Sequence, residues 1–285
     1  MKLNELKKCD AAYLFINGQS NAHGHGQNMS QEDYIRTPLK NVFALDRTPN
    51  QSYDIDDVVW SGFTTAGKNL GETQDNTYSF AYYFAKMWQA AIEQGVQLPD
   101  LYIVQISIGA QGIINGMWNK HKEKILISGV LGEANISLYD FASRIHSLVL
   151  KDMRKRFDNP AIIGWHWIGS EQDTLPLEYD YSDFLELYDD FFDNMLGLAN
   201  TNCPAYLYKL VCFHHERFAK GIEMINNTFN RECKRHENFT LVETDKSPIW
   251  DGDAENSGVF DIDNVHYLPK AQRWFAENFF HAIIK

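Results

Sequence analysis

Four short segments of this 285-residue chain carry residue types suited to acyl transfer. The first is Gly18-Gln19-Ser20-Asn21. A serine behind a glycine, directly after an apolar run, sits where a turn can expose its hydroxyl and offer its own amide N–H. The pattern is not G-x-S-x-G, because Ala22 fills the last position, and an α/β-hydrolase nucleophile follows a later strand than the first. Taken alone, the tetrapeptide reads equally as a polar strand-to-helix turn with Ser20 as an N-cap. The second segment is Asp263-Asn264-Val265-His266. A serine hydroxyl is a poor nucleophile until a base accepts its proton, and histidine suits neutral pH. A carboxylate three residues earlier can reach back and hold the imidazole in one tautomer. Taken alone, the same residues fit a helix-capping aspartate and a surface histidine. In Gly109-Ala110-Gln111-Gly112, a glycine lets backbone N–H groups approach a developing oxyanion, or simply ends a strand. Glu171-Gln172-Asp173 offers two carboxylates that, by themselves, read as solvated loop residues.

The elements that must position these segments follow from the apolar pattern. Ala11–Ile16, Val42–Leu45, Leu101–Ser107, Ala161–Ile168 and Ala205–Phe213 are short apolar runs that read as buried strands, with a weaker one near Phe239–Val242. Between them lie helical faces. Phe80, Phe84, Met87, Trp88 and Ala91 mark one, with Thr77 as a candidate cap. Leu138, Phe141, Ile145 and Leu148 mark a second, and Phe184, Leu187, Tyr188, Phe191, Met195 and Leu198 a third. A helix around residues 218–236 and a last one carrying Ala271, Trp274, Phe275 and Phe279 complete the series. Residues 46–77, rich in Asn, Asp, Gly and Thr, read as a long loop. Strands alternating with helices predict a parallel sheet covered on both faces. In such sheets ligands bind beyond the carboxyl ends of the strands, where three of the four segments fall. No repeat or linker divides residues 1–285, so a single domain is expected.

Together the segments resemble the SGNH-hydrolase superfamily, in its sialic-acid-specific acetylesterase and acetyl-xylan-esterase-like branch (carbohydrate esterase family 6). The likeness spans residues 13–285: GQSN after the first strand, a Gly-containing block from Gly109 to Trp118, W-x-x-x-E-x-D ending at Asp173, and a terminal D-x-x-H. It implies an α/β, flavodoxin-like three-layer sandwich with a mostly parallel five-stranded sheet and helices on both faces. It also implies removal of O-acetyl groups from carbohydrate without a metal or other cofactor. Carried over by position, Ser20 is the nucleophile, His266 the base and Asp263 its orienter. Some family members use the glutamate matching Glu171 as a triad member; here it can also support His266 or bind the turn that holds Ser20. The Ser20 and Gly109 N–H groups form the oxyanion hole, and Gln19, Asn21, His23, Gln111, Trp60 and Trp118 line the substrate pocket. One departure stands out. The family pattern H-Q-G-E-x-D reads here Ile168-Gly169-Ser170-Glu171-Gln172-Asp173, so Gly169 replaces a glutamine that would donate to the oxyanion. Losing one such donor costs roughly 10²–10³ in kcat, unless the Ser170 hydroxyl, the Gln111 amide or a water replaces it. A catalytically silent carbohydrate-binding module on the same fold is the alternative.

Composition narrows the partners. Lys plus Arg number 26 against 38 Asp plus Glu, a net charge of −12, which repels nucleic-acid phosphates and anionic membrane surfaces. It also favours a neutral glycan over a polyanionic one. Aromatic residues make up 14% of the chain, and Trp60, Trp118 and Trp250 fall in loop-like segments where they either stack on a sugar ring or anchor the loops. Trp165 and Trp167 read as core. His23 and His25, with His214 and His215, lack zinc-site spacing, so no metal is expected. The four cysteines form no C-x-x-C, and no export signal or membrane span is read, so a cytoplasmic location is the expectation.

Overall fold

The computed structural model describes residues 2–24, 29–45, 57–65, 77–114, 116, 118–119, 137–174, 181–211, 216–247 and 265–285. Its strands are β1 (Ala11–Gly18), β2 (Val42–Leu45), β3 (Trp60–Gly62), β4 (Asp100–Ser107), β5 (Pro160–Ile168), β6 (Ala205–Tyr208) and β7 (Phe239–Val242). Its helices are α1 (Leu3–Leu6), α2 (Ser20–His23), α3 (Phe80–Glu93), α4 (Leu138–Arg156), α5 (Tyr181–Asn194), α6 (Glu216–Arg235) and α7 (Pro269–Ile284).

All seven strands join one sheet in the order β3-β2-β4-β1-β5-β6-β7, parallel except for the β2–β3 pair. Strand β1 is fully buried along its length and shows why the sheet needs cover on both sides. Ala11, Tyr13 and Phe15 point to one apolar cluster, and Ala12, Leu14 and Ile16 to the other. Helices α4, α5 and α6 supply the first cluster, through residues such as Ile145, Phe191 and Phe229. Helices α3 and α7 supply the second, through Phe84, Trp88, Phe275 and Phe279. The result is a three-layer α/β sandwich.

The sheet has seven strands among the described residues, not five. Strand β3 lies inside the stretch read as a loop, because three residues are too few to show a period. The weak run at Phe239–Val242 is the true edge strand β7, held by parallel pairing to β6. Strand β6 is shorter than its apolar run. Beyond Tyr208 the Asn226 side chain takes both Leu210 backbone groups, with Leu210 N donating at 2.8 Å and Asn226 Nδ2 donating to Leu210 O at 3.0 Å. Without β2 and β3, the strands β4-β1-β5-β6-β7 follow the order 2-1-3-4-5 in their own chain sequence, which is the flavodoxin-like arrangement. The cap of α3 is Ser79, whose Oγ accepts from Tyr82 N at 3.2 Å, and not Thr77. Thr77 instead donates its hydroxyl to Gly24 O at 2.8 Å, tying the entry of α3 to the end of α2. The α5 pattern ends at Asn194. Met195 and Leu196 turn left-handed there, so Met195 and Leu198 belong to the following tight turns.

Candidate active site

The topology fixes where a ligand would sit. The chain leaves β1 and returns through β4 on one side and β5 on the other, so the carboxyl end of β1 is the switch point of the sheet. At Gly18 the φ is +149°, and a Cβ would lie 1.9 Å from Ile168 O; only glycine lets the ends of β1 and β5 approach this closely. Gln19 N then donates to Ile168 O at 3.1 Å, and the chain turns at once into α2. Ser20 is the first residue of α2, where helix geometry leaves N–H groups without intrahelical partners. It is buried, at 7% exposure.

His266 arrives from the opposite end of the sequence and places Nε2 2.8 Å from Ser20 Oγ. Asp263, its expected orienter, lies outside the described residues. Glu171 lies behind the nucleophile turn, where Oε1 accepts from Asn21 Nδ2 at 2.7 Å. Burial raises the Glu171 carboxyl pKa; the Asn21 hydrogen bond and the nearby His266 pull the other way. Its second oxygen, Oε2, is buried without a hydrogen-bond partner among the described residues.

Gly109 follows β4 and stands beside the nucleophile. A Cβ there would come within 3.8 Å of Ser20 Cβ and 3.9 Å of His23 Cε1, so Gly109, Ser20 and His23 share one wall. The loop after Gly109 is held by Asp173, which is fully buried. Its carboxylate accepts from Ile113 N at 2.8 Å, Ile114 N at 3.0 Å and the Tyr188 hydroxyl at 2.8 Å. Asp173 is therefore no solvated loop acid but a staple between the β4 and β5 loops.

Several expected pocket residues lie elsewhere. Trp118 is fully buried, stacks edge-on against Trp167 and donates Nε1 to Gly18 O at 3.1 Å; it braces the end of β1 and offers no face to a sugar. Trp60 lies in β3 against Tyr13 and Tyr102, near the amino ends of β1 and β4, and donates Nε1 to Asp152 at 2.9 Å. It is thus at the wrong end of the sheet for the pocket. Trp250, His25, His214 and His215 lie outside the described residues. Trp165 and Trp167 are fully buried. Asn21 is 1% exposed and its amide is occupied by protein partners, so it does not line a pocket. Gln111, following the left-handed Ala110, is half-buried in the loop after Gly109.

The nook beside Gly169 is filled by Gln19, whose Cγ would lie 3.3 Å from a Cβ at position 169. Gln19 is 3% exposed, and its Oε1 has no hydrogen-bond partner among the described residues. The Ser170 hydroxyl accepts from Trp167 Nε1 at 3.0 Å on a left-handed backbone, so it faces the core and not Ser20. Among the described residues, one group of potential metal ligands, Asp193, Glu232 and His236, comes together on α5 and the end of α6. Arg231 and Arg235 share its carboxylates, which makes it an ion-pair cluster.

Neither a protein-family model nor a curated protein sequence matches the chain. Solved structures do match its fold. A protein from Arabidopsis thaliana superposes with a TM-score of 0.59 at 14% identity, over 96% of this chain and 97% of that one. NanS superposes with a TM-score of 0.57 at 16% identity, over 96% and 98%. A Parabacteroides merdae protein described as a GDSL-like lipase gives 0.52 at 12% identity, over 99% and 98%. The chain therefore shares, from end to end, the three-layer α/β fold of these proteins.

Proposed function

We propose that the protein is a serine esterase that removes O-acetyl groups from carbohydrate. The observation that carries this reading is the 2.8 Å approach of His266 Nε2 to Ser20 Oγ at the switch point of the sheet. A hydroxyl and an imidazole in hydrogen-bond reach, one at a helix N-terminus, form the working pair of nucleophilic acyl transfer. The description of the Parabacteroides protein as a GDSL-like lipase also favours ester hydrolysis.

The proposed mechanism builds on that pair. Ser20 Oγ attacks the acetyl carbonyl carbon while its proton passes to His266 Nε2. The carbonyl oxygen becomes an oxyanion, which the Ser20 and Gly109 N–H groups stabilise. Collapse expels the sugar oxygen, which takes the proton from His266 and leaves an acetyl-serine. Water then attacks that ester, giving its proton to His266. Acetate departs, and the proton returns to Ser20. Asp263 is assigned to hold His266 in the right tautomer, with Glu171 behind the turn as a support. No step uses a metal or other cofactor. His23 and Gln111 are the candidates to meet the sugar.

Acetate release from 4-nitrophenyl acetate and from acetylated sugars tests the reading. Ser20→Ala and His266→Ala are each expected to lower kcat by at least about 10³-fold. Full activity in either variant removes the mechanism. If Ser20 resists a fluorophosphonate in the folded protein while a glycan still binds, the chain is a binding module on this fold.

A further inference from the structure

The Asn21 side chain, next to Ser20, makes three hydrogen bonds, none of them to the His266 side chain. Its Nδ2 donates to Val265 O at 3.0 Å and to Glu171 Oε1 at 2.7 Å. Its Oδ1 accepts from Tyr267 N at 2.9 Å. Its own carbonyl accepts from Gln272 Nε2, on α7, at 2.9 Å. Val265 and Tyr267 are the two chain neighbours of His266, so one carboxamide grips the backbone on both sides of the base. We propose that Asn21 is the positioning residue that sets the distance between Ser20 and His266. The inference rests on the reading of those two residues as nucleophile and base.

The chemistry of the side chain explains the choice. A primary amide carries two N–H donors and one acceptor oxygen, and here both kinds are used. It pairs with residues 265 and 267 much as a neighbouring strand would. Aspartate could not donate to Val265 O, and its charge would face Glu171. Serine has a single proton to give, and glutamine is one methylene too long. Glu171 fixes the direction of the amide, because its oxygen requires the NH₂ side. At 1% exposure no water competes for these bonds. Asn21 is also covalently next to Ser20, so nucleophile and base are tied through a single side chain. A misplacement of about 1 Å between reacting groups can cost on the order of 10²-fold in rate, which is the scale at which such a tie matters.

A double-mutant cycle separates positioning from general structural support. Hydrolysis of 4-nitrophenyl acetate is measured for the wild type, Asn21→Ala, His266→Ala and the double variant. The expected result is an Asn21→Ala loss of about 10²-fold in kcat with KM within about twofold. The double variant should be as slow as His266→Ala alone, because a residue acting through the histidine has nothing left to position. Equal losses from Asn21→Ala in both backgrounds, or no loss in the wild-type background, overturn the proposal. If Asn21→Ala fails to fold by circular dichroism, Asn21→Ser, which keeps one donor, goes through the same cycle and must show the same non-additivity. The parent reading fails differently: His266→Ala would then be as active as the wild type, and the proposal would fall with it.

Discussion

Asp173 and Gly112 show how residues that touch no substrate shape the site. A Cβ on Gly112 would lie 2.0 Å from Asp173 Oδ1, so the glycine leaves the room into which the carboxylate reaches. Gly112→Ala is expected to push Asp173 off the Ile113 and Ile114 amides, lowering both the melting temperature and ester hydrolysis. Asp173→Asn keeps the volume but turns an NH₂ toward groups that also donate. Each hydrogen bond lost from a charged acceptor costs roughly 1.5–3 kcal/mol, and urea unfolding reads the sum. At this scale the sequence displayed the chemistry but not the partners. Ser20 and His266 carried reactive groups in a legible order. Asn21, Asp173 and Trp118 did not announce themselves, because a buried clamp and a pocket-lining polar residue have the same letter. Only the observed bonds to Val265, Tyr267, Ile113 and Gly18 tell them apart.

Among the elements, helix entries carry the clearest expectations. Ser79 caps α3 and Ser137 caps α4, each accepting from the N–H three residues on. Ser79→Ala and Ser137→Ala should each cost about 1 kcal/mol in chemical denaturation. Thr77→Val should leave the α3 cap intact while removing the tie to Gly24; a loss as large as that of Ser79→Ala would restore Thr77 as the cap. The sequence exposed the long elements well, since β1, β4 and β5 are near-continuous apolar runs and the faces of α3, α4 and α7 repeat their period several times. It hid β3 and showed β7 only weakly. Strand β3 has three residues and β7 four, and their identity comes from pairing with neighbours and not from local pattern. Trp60 was misplaced for the same reason: a tryptophan in an apparent loop proved to be a strand residue packed against Tyr13 and Tyr102.

On the scale of the whole molecule, two fully buried histidines set an acid limit. Burial pushes both His146 and His166 down from 6.5 to about 3. Below pH 6.5 the unfolded chain binds protons that the native state refuses, so native stability is full above that value and falls as pH drops toward 3. A melting-temperature series across that window should decline, and His166→Gln should flatten it. Glu171 acts oppositely. Its raised pKa means that the unfolded chain gives up its proton first, which favours unfolding as pH rises above 4.5. The separation of Ser20 and His266 by 246 positions also has a consequence in time. A ribosome delivers the nucleophile turn well before it delivers the base. A chain interrupted anywhere before His266 therefore carries Ser20 without a proton acceptor, and Asn21 and Gln272 cannot meet until α7 docks. On the proposed reading, hydrolytic competence appears only once α7 has been made and docked.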